Sequence, residues 1–538
     1  MEIVEYDDNF IYLNAKTKEA NAIGAHYIQS RKAFRVPLSV KAIEEIEKYA
    51  SVSAIKDIYE KLLKNNTKLL SIKNQKETQN NDTLLRPYQA VDVEFLNHKK
   101  SAAVFNEQRT GKTPTILTAV KDSLQSGIVV CPASLKINWQ MEYKSWVDDA
   151  PTKVISGSKQ KRLKAYEDFA NGKYKMLFIS YETLRADVDE LVFMTPKIDV
   201  LIVDEAHRLR NYKSKQSKAL YRLRRIADRV YPMTGTPAVN HPSDVFGILK
   251  LLEPDKYTSY WQFIERYFGY TEGRFGRELL DVRSDRKEEF QEILEMCSVQ
   301  RKRRDVMRWI PKIMLRDVYV ELNDKQKRHI KKITQEFMVG DIEIPNVVAQ
   351  ITRLRQVSLD PGLLDLDGKS AKTDFIKEFL EDNDGKVVIF SAFTSYLKRL
   401  KEEIPNSALL TGEQSQEEKQ NAVDAVQFGD TRVLLSNIIV GGTGWTLDNV
   451  DTIIFTDRSF NPIDNAQAED RIVPTKQNKV YGAKQIITLI AEDSIEKNIE
   501  RLLKRKINII KFVNDYGMNA LVNYGKGENN NNAGLSNL

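Results

Sequence analysis

The sequence predicts an α/β protein of two parallel-sheet lobes, with a helical insertion and a small N-terminal accessory domain. Three observations predict it. Between residues 84 and 237, apolar runs at 102–105, 127–131, 176–180, 200–203 and 229–233 alternate with helical patterns, as in a parallel sheet covered on both faces. A second series follows, with runs at 318–320, 386–391, 432–436, 452–456 and 485–490. At 538 residues the chain also exceeds what one core ordinarily holds.

Residues 1–82 read as a separate small unit. Short strands are expected at 10–13 and 33–37, an amphipathic helix at 40–50, and a polar linker at 73–82. The first lobe is expected over 83–242. From 243 to 309 the strand signals give way to helical, aromatic-rich sequence, where Tyr257, Tyr260, Trp261, Phe263, Tyr267 and Phe268 are read as rings packing helices together. Residues 243–345 are therefore a helical insertion and crossover, and 346–512 the second lobe. The Asn- and Gly-rich stretch 513–538 is expected to be disordered.

Composition narrows the class. No apolar run approaches the roughly 18 residues of a membrane span. The first ten residues carry acids where a secretory signal carries bases. Two cysteines, Cys131 and Cys297, exclude a disulfide framework or zinc cluster and suit a reducing cytoplasm. The net charge of +7 hints at a polyanionic partner, but where the bases sit matters more than their sum.

Two short motifs carry chemistry. In Asn106-Glu107-Gln108-Arg109-Thr110-Gly111-Lys112-Thr113, turn amides opening a helix can surround phosphate. Lys112 would reach the β- and γ-phosphates, and the Thr113 hydroxyl would hold Mg²⁺. The full GxxxxGK[ST] pattern is not met, because Asn106 stands at its first glycine. Downstream, Asp204-Glu205-Ala206-His207 ends a buried apolar run. Asp204 would bind Mg²⁺ and Glu205 would polarise the attacking water. His207, Thr234 and Thr236 are expected to couple the nucleotide site to the other lobe, while Gly235 and Pro237 shape a turn. ATP and Mg²⁺ are the expected cofactors.

These residues resemble the Swi/Snf-like branch of superfamily 2 helicases, ATP-driven double-stranded DNA translocases with two RecA-like lobes. The resemblance covers roughly residues 84–501. Leu85-Arg86-Pro87-Tyr88-Gln89 resembles the adenine-recognising motif, with Gln89 contacting the base. The segment 129–135 with Asn138, Trp139 and Trp146 resembles a motif that touches the DNA backbone. Residues 180–184, the Asp-Glu-Ala-His motif and Thr234-Gly235-Thr236-Pro237 follow in the family's order. Arg301-Lys302-Arg303-Arg304 with Ile310-Pro311-Lys312 resembles the basic crossover. That run is read either as a solvated helix face or as a DNA-facing or lobe-linking segment. Ser370-Ala371-Lys372, Ile389-Phe390-Ser391, Leu410-Thr411-Gly412 and the loop Gly441-Gly442-Thr443-Gly444 match second-lobe motifs. Gln467-Ala468-Glu469-Asp470-Arg471 matches the opening of the final motif. The resemblance thus implies nucleotide contacts at Gln89, Arg109, Thr110, Gly111, Lys112, Thr113, Gly442, Gly444 and Gln467, with Arg471 as the trans-lobe charge.

Two departures stand out. Arg109 replaces a glycine common in relatives, and Pro474 stands where relatives place a second arginine. An arginine finger is worth ~10³–10⁵ in rate, and Lys476 is a candidate substitute. Residues 22–27 and 33–38 are similar to the HARP-like module preceding some annealing helicases, with Tyr27 and Phe34 where relatives carry tryptophans. A capping subdomain fits the same residues. Lys136, Arg185 and Lys213 are candidate phosphate contacts.

The resemblance implies a DNA-stimulated ATPase that translocates on duplex or branched DNA, annealing strands or remodelling forks in replication or repair. The rivals are a strand-separating helicase, a nucleotide-gated DNA-binding scaffold with little turnover, and an RNA-dependent ATPase. With no zinc finger, chromodomain or nuclease centre recognised, a cytoplasmic protein of bacterial or viral origin is expected.

Overall fold

The computed structural model describes residues 1–75, 84–238, 241–273, 276–336, 338–339, 342–343, 347–441, 445–474, 481–492, 494 and 496. The chain divides into two compact units after Val306. The expected tail at 513–538, most of the linker, Gly442, Gly444 and Lys476 lie outside the described residues.

The first unit opens with a small antiparallel sheet. Its strands are β1 (Glu2–Tyr6), β2 (Phe10–Asn14), β3 (His26–Ile28) and β4 (Ala33–Pro37), in the order β1-β2-β4-β3. Alternation turns Ile11, Leu13 and Val36 to one face, where Ile43 and Ile46 of the helix Val40–Glu47 cover them. Ser39 caps that helix by accepting from the Ala42 amide at 3.1 Å.

This small domain is not the separate unit expected from the sequence. The helix Lys56–Lys73 sends Leu69 and Ile72 into the core of the first lobe. Arg266, in the helix Tyr260–Tyr267, donates to the carbonyls of Ile23 and Gly24 at 3.0 Å. The same guanidinium pairs with Glu289 at 2.9 and 2.7 Å, while Arg286 pairs with Glu45. Charges this deeply buried must be paired, so the contact is specific as well as apolar.

The first lobe holds seven strands. They are β5 (Ala103–Val104), β6 (Gly127–Cys131), β7 (Thr152–Val154), β8 (Met176–Ser180), β9 (Ile198–Asp204), β10 (Ala227–Met233) and, after the insertion, β13 (Ser298–Val299). All pair in parallel, in the order β13-β5-β10-β9-β6-β8-β7. β6 and β8 are buried at every residue, which explains their unbroken apolar sequences. The order makes β5, β10 and β9 neighbours, with Met233 level with both Val104 and Asp204. Their carboxyl ends therefore open onto one crevice.

The insertion is not wholly helical. Beside the helices Phe246–Leu252, Tyr260–Tyr267 and Lys287–Cys297, it carries a hairpin of β11 (Phe268–Gly273) and β12 (Gly276–Val282). Glu272 and Glu278 interrupt the apolar signal there, and two-residue alternation was too short to read. Most of these aromatic residues do pack together, Phe263 meeting Phe246, Tyr257, Tyr267, Phe268 and Phe290 with centroids 5.3–6.1 Å apart, while Trp261 is 41% exposed.

The second unit is built on β14 (Ile313–Val320), β17 (Val387–Ser391), β18 (Ser407–Leu410), β19 (Val433–Asn437), β20 (Thr452–Phe455) and β21 (Lys484–Ala491). The sheet is parallel, ordered β14-β21-β20-β17-β19-β18. A two-residue pair, β15 (Met338–Val339) with β16 (Ile342–Glu343), lies outside it. This lobe starts earlier than the expected residue 346, because β14 pairs with β21 along its whole length. Arg316 and Asp317 hide half of β14 from an apolar reading, which an edge strand allows. Lys372, fully buried, ties the sheet together through Glu496 and the carbonyls of Thr456 and Leu489.

Candidate active site

The phosphate loop leaves β5 and enters the helix Lys112–Val120. Gly111 caps it with φ +81°, and a Cβ there would collide with the Gln89 carboxamide. Only glycine satisfies both conditions. Arg109 also adopts a left-handed backbone, φ +67°, at the position where the sequence departs from the glycine of relatives. Thr110 is buried, its hydroxyl donating to the Glu107 carbonyl at 2.7 Å. The Lys112 ammonium donates to the carbonyls of Asn106 and Glu107 at 3.1 and 3.2 Å.

Gln89 lies beneath this loop. Its amide nitrogen donates to the Thr110 carbonyl at 3.1 Å, and its oxygen accepts from the Arg86 amide at 2.8 Å. Tyr88 donates to the same Thr110 carbonyl at 2.7 Å. The entry motif thus braces the loop from below.

Asp204 ends β9 and is buried. Its carboxylate accepts from the Glu205 amide at 2.8 Å and from the Trp139 indole at 2.9 Å. Burial, reinforced by the charge of Glu205, pushes its pKa up to about 6, while Trp139 and Lys112 oppose the shift. Tyr181 donates to the Asp204 carbonyl from the opposite side. Trp139 is only 2% exposed. Its ring fills the core between strand and helix, and its indole orients the acid.

Glu205 holds φ +52°, a costly conformation for a non-glycine residue that concentrates at functional sites. Its carboxylate lies 3.2 Å from His207 Nδ1, which is also 3.1 Å from the Thr234 hydroxyl. That hydroxyl accepts from the Thr236 amide at 3.1 Å. The Thr234 amide donates to the Val104 carbonyl at 3.0 Å, just before the phosphate loop. A Cβ on Gly235 would sit 3.1 Å from Gln108 of the loop. Glu205, His207, Thr234 and Thr236 therefore form one polar chain that returns to the loop, and Gly235 permits the close approach.

Thr113 and Asp204 offer a hydroxyl and a carboxylate, the hard oxygen donors Mg²⁺ prefers. The residues present fit a nucleotide with its magnesium ion.

In the second unit, Arg471 donates to the carbonyls of Gln467 and Trp445 at 3.0 and 2.9 Å. Trp445 directly follows the glycine-rich loop. Pro474 is buried. Asp457, not singled out from sequence, accepts from Ser391, Arg355 and the Ala392 amide.

Several bases read as candidate DNA contacts are engaged internally. Lys136 donates to the Ile155 carbonyl at 2.6 Å. Arg301 pairs with buried Asp92 at 2.8 Å. Arg185 and Lys213 are exposed.

Two parallel α/β sheets, one carrying a phosphate loop beside an acidic strand end, define a helicase-like ATPase of superfamily 2. The SNF2-related domain family matches residues 52–363, more than half of the chain, and the helicase conserved C-terminal domain matches 371–473. The chain belongs to the SNF2-related family. Similar proteins include an uncharacterized ATP-dependent helicase of Mycoplasma genitalium, 24% identical over 88% of this chain and 46% of that protein. A chromodomain-helicase-DNA-binding protein 1-like of Danio rerio is 25% identical over 81% of this chain and 44% of its own length. The chain spans about half the length of these curated relatives. Among solved structures, the Sulfolobus solfataricus SWI2/SNF2 ATPase core in complex with dsDNA matches with a TM-score of 0.38, at 22% identity. That match covers 82% of this chain and 95% of the other. Among the described residues no helix is long and apolar enough to cross a membrane.

Proposed function

We propose that this chain hydrolyses ATP with Mg²⁺ and couples the cycle to translocation on duplex or branched DNA. The observation carrying the proposal is the polar chain from Glu205 through His207 to Thr234, which joins the acidic motif to the phosphate loop. A loop that only bound nucleotide would need no acid held in a strained backbone beside it. In this reading Lys112 meets the phosphates, Thr113 and Asp204 hold the magnesium ion, and Glu205 orients the attacking water. In the same reading Gln89 contacts adenine and Arg471 supplies charge from the second lobe. Contacts to the DNA are to its phosphates, so binding is salt-sensitive and does not read sequence. Action on forks, with strand annealing, rests on the resemblance of residues 22–27 and 33–38 to the HARP-like module.

A scaffold with little turnover is the second reading, and the buried Pro474 at the expected arginine position favours it. Steady-state hydrolysis with no nucleic acid, single-stranded, duplex and forked DNA, and RNA separates the two, with Glu205→Gln as control. Stimulation by duplex or forked DNA, lost in the control, is expected. DNA binding with no turnover above the control would overturn the motor in favour of the scaffold. Strand displacement on a labelled fork would instead point to a separating helicase.

A further inference from the structure

By sequence the run Arg301-Lys302-Arg303-Arg304 reads as a solvated, DNA-facing or lobe-linking segment. In the structure its first half is a strap along the phosphate loop. β13 pairs with β5 in parallel, and the pairing continues past the strand: the Phe105 amide donates to the Val299 carbonyl at 2.8 Å, and the Glu107 amide to the Arg301 carbonyl at 3.0 Å. The Glu107 carboxylate in turn accepts from the Arg303 amide. On the other side, Arg301 pairs through Nε and a terminal nitrogen with Asp92, both at 2.8 Å. The second Asp92 oxygen accepts from the Asn106 carboxamide at 2.8 Å.

The two loop residues held this way are Asn106 and Glu107. Their carbonyls are the ones that receive the Lys112 ammonium. Asp92 and Asn106 are both buried completely, so water cannot replace a lost partner, and removing one member disturbs the others.

We infer that Arg301 is a positioning residue for the nucleotide site: through Asp92 and Asn106 it sets the loop carbonyls that place Lys112. The strap ends at the boundary of the first unit, which closes at Val306. The role of Arg301 rests on the reading of the loop as a nucleotide site.

The test compares Arg301→Gln, Asp92→Asn, the double variant and Arg304→Gln in the full chain. Affinity for a fluorescent ATP analogue with Mg²⁺ is measured beside duplex DNA affinity across a salt series. Loss of a well-placed charged hydrogen bond from Lys112 corresponds to roughly tenfold or more in affinity, so Arg301→Gln should weaken the nucleotide by that factor and leave the DNA salt dependence unchanged. Adding Asp92→Asn removes the stranded buried charge and should recover most of the loss, a rescue that general misfolding would not give. The inference is overturned if Arg301→Gln instead lowers the DNA salt slope by about one with nucleotide affinity intact, the signature of a phosphate contact. It is overturned equally if the double variant binds nucleotide no better than Arg301→Gln. Should Arg301→Gln not fold, Asp92→Asn alone must weaken the nucleotide without altering DNA affinity. Nucleotide affinity is read directly, so the result is independent of turnover. A wild-type chain that bound no nucleotide would instead refute the site reading itself.

Discussion

Trp139→Phe isolates the contact that most changes the reading of the site. The benzyl ring keeps an aromatic in the core it shares with Phe178, Tyr143 and Cys131, so the fold should lose less than the roughly 3–5 kcal/mol of a truncation to alanine. What disappears is the donor to Asp204. That carboxylate has two hydrogen bonds, from Trp139 and from the Glu205 amide, and a bond to a charged acceptor contributes about 1.5–3 kcal/mol. At about 1.4 kcal/mol per decade, the loss corresponds to roughly ten- to a hundredfold.

DNA-stimulated ATP hydrolysis is measured across a magnesium titration, with duplex affinity measured in parallel. The expected result is a shift of the magnesium midpoint upward by roughly ten- to a hundredfold, the range for losing a ligand's orienting partner, at unchanged DNA affinity. A midpoint within about twofold of wild type would refute the positioning role, since outer-shell partners cost more than that. Weaker DNA binding at an unchanged midpoint would restore the backbone contact that the motif implied.

Other consequences follow from the same geometry. Arg109→Gly should bind nucleotide more tightly than Arg109→Ala by about 1 kcal/mol, because both lose the side chain while only glycine is relaxed at φ +67°; equal affinities would mean the loop is not strained there. Glu289→Gln leaves Arg266 buried beside a weaker partner, so the fold should lose about 3 kcal/mol or more and residues 1–73 should become protease-sensitive before the rest; a unchanged melting temperature would refute the docking role. Lys73 donates to the Glu295 carbonyl and is faced by Cys297, Arg301 and Asp92, and burial lowers its pKa to about 8. The folded value lies below the unfolded one, so stability should rise as pH is raised from about 8 towards about 10.4. In Lys73→Met, monitored by chemical denaturation, that rise should shrink. Finally, Arg185→Gln and Lys213→Gln should each lower the DNA salt slope by about one while Lys136→Gln should not; the reverse pattern would mean Lys136 leaves its carbonyl to meet phosphate.

How much of this was legible depended on burial. β6 and β8 occupy the residues read from the sequence because central parallel strands are apolar at every position. β7, with Lys153 in its middle, and β14, with Arg316 and Asp317, lie at sheet edges where charge is tolerated, and no apolar run marks them fully. β13 has two residues and borrows its geometry from β5. The site divides in the same way. The segments 106–113, 204–207 and 234–237 were visible because each motif is contiguous, and the sheet order brings them together. The groups that orient them were not visible. Trp139 reaches Asp204 across 65 residues and Arg301 reaches Asp92 across 209, separations that no local spacing encodes.

The same long-range pairing changes what the positive charge means. A net charge of +7 with a run of four adjacent bases suggested a polyanion footprint. Yet Arg301 answers Asp92, Arg266 answers Glu289, Arg286 answers Glu45, and Lys136 answers a carbonyl, each partly or wholly buried. Arginine suits these places because its fork satisfies two acceptors while staying charged, and such pairs fix which surfaces dock more than they add stability. Basic residues in this chain thus have two employments, and sequence clustering does not separate them. What separates them is exposure: Arg185 and Lys213 present their charge to solvent, where a polyanion that met them would release its counterions. Arg301, in the strap at 299–303, belongs to the other kind, with its charge turned inward on Asp92.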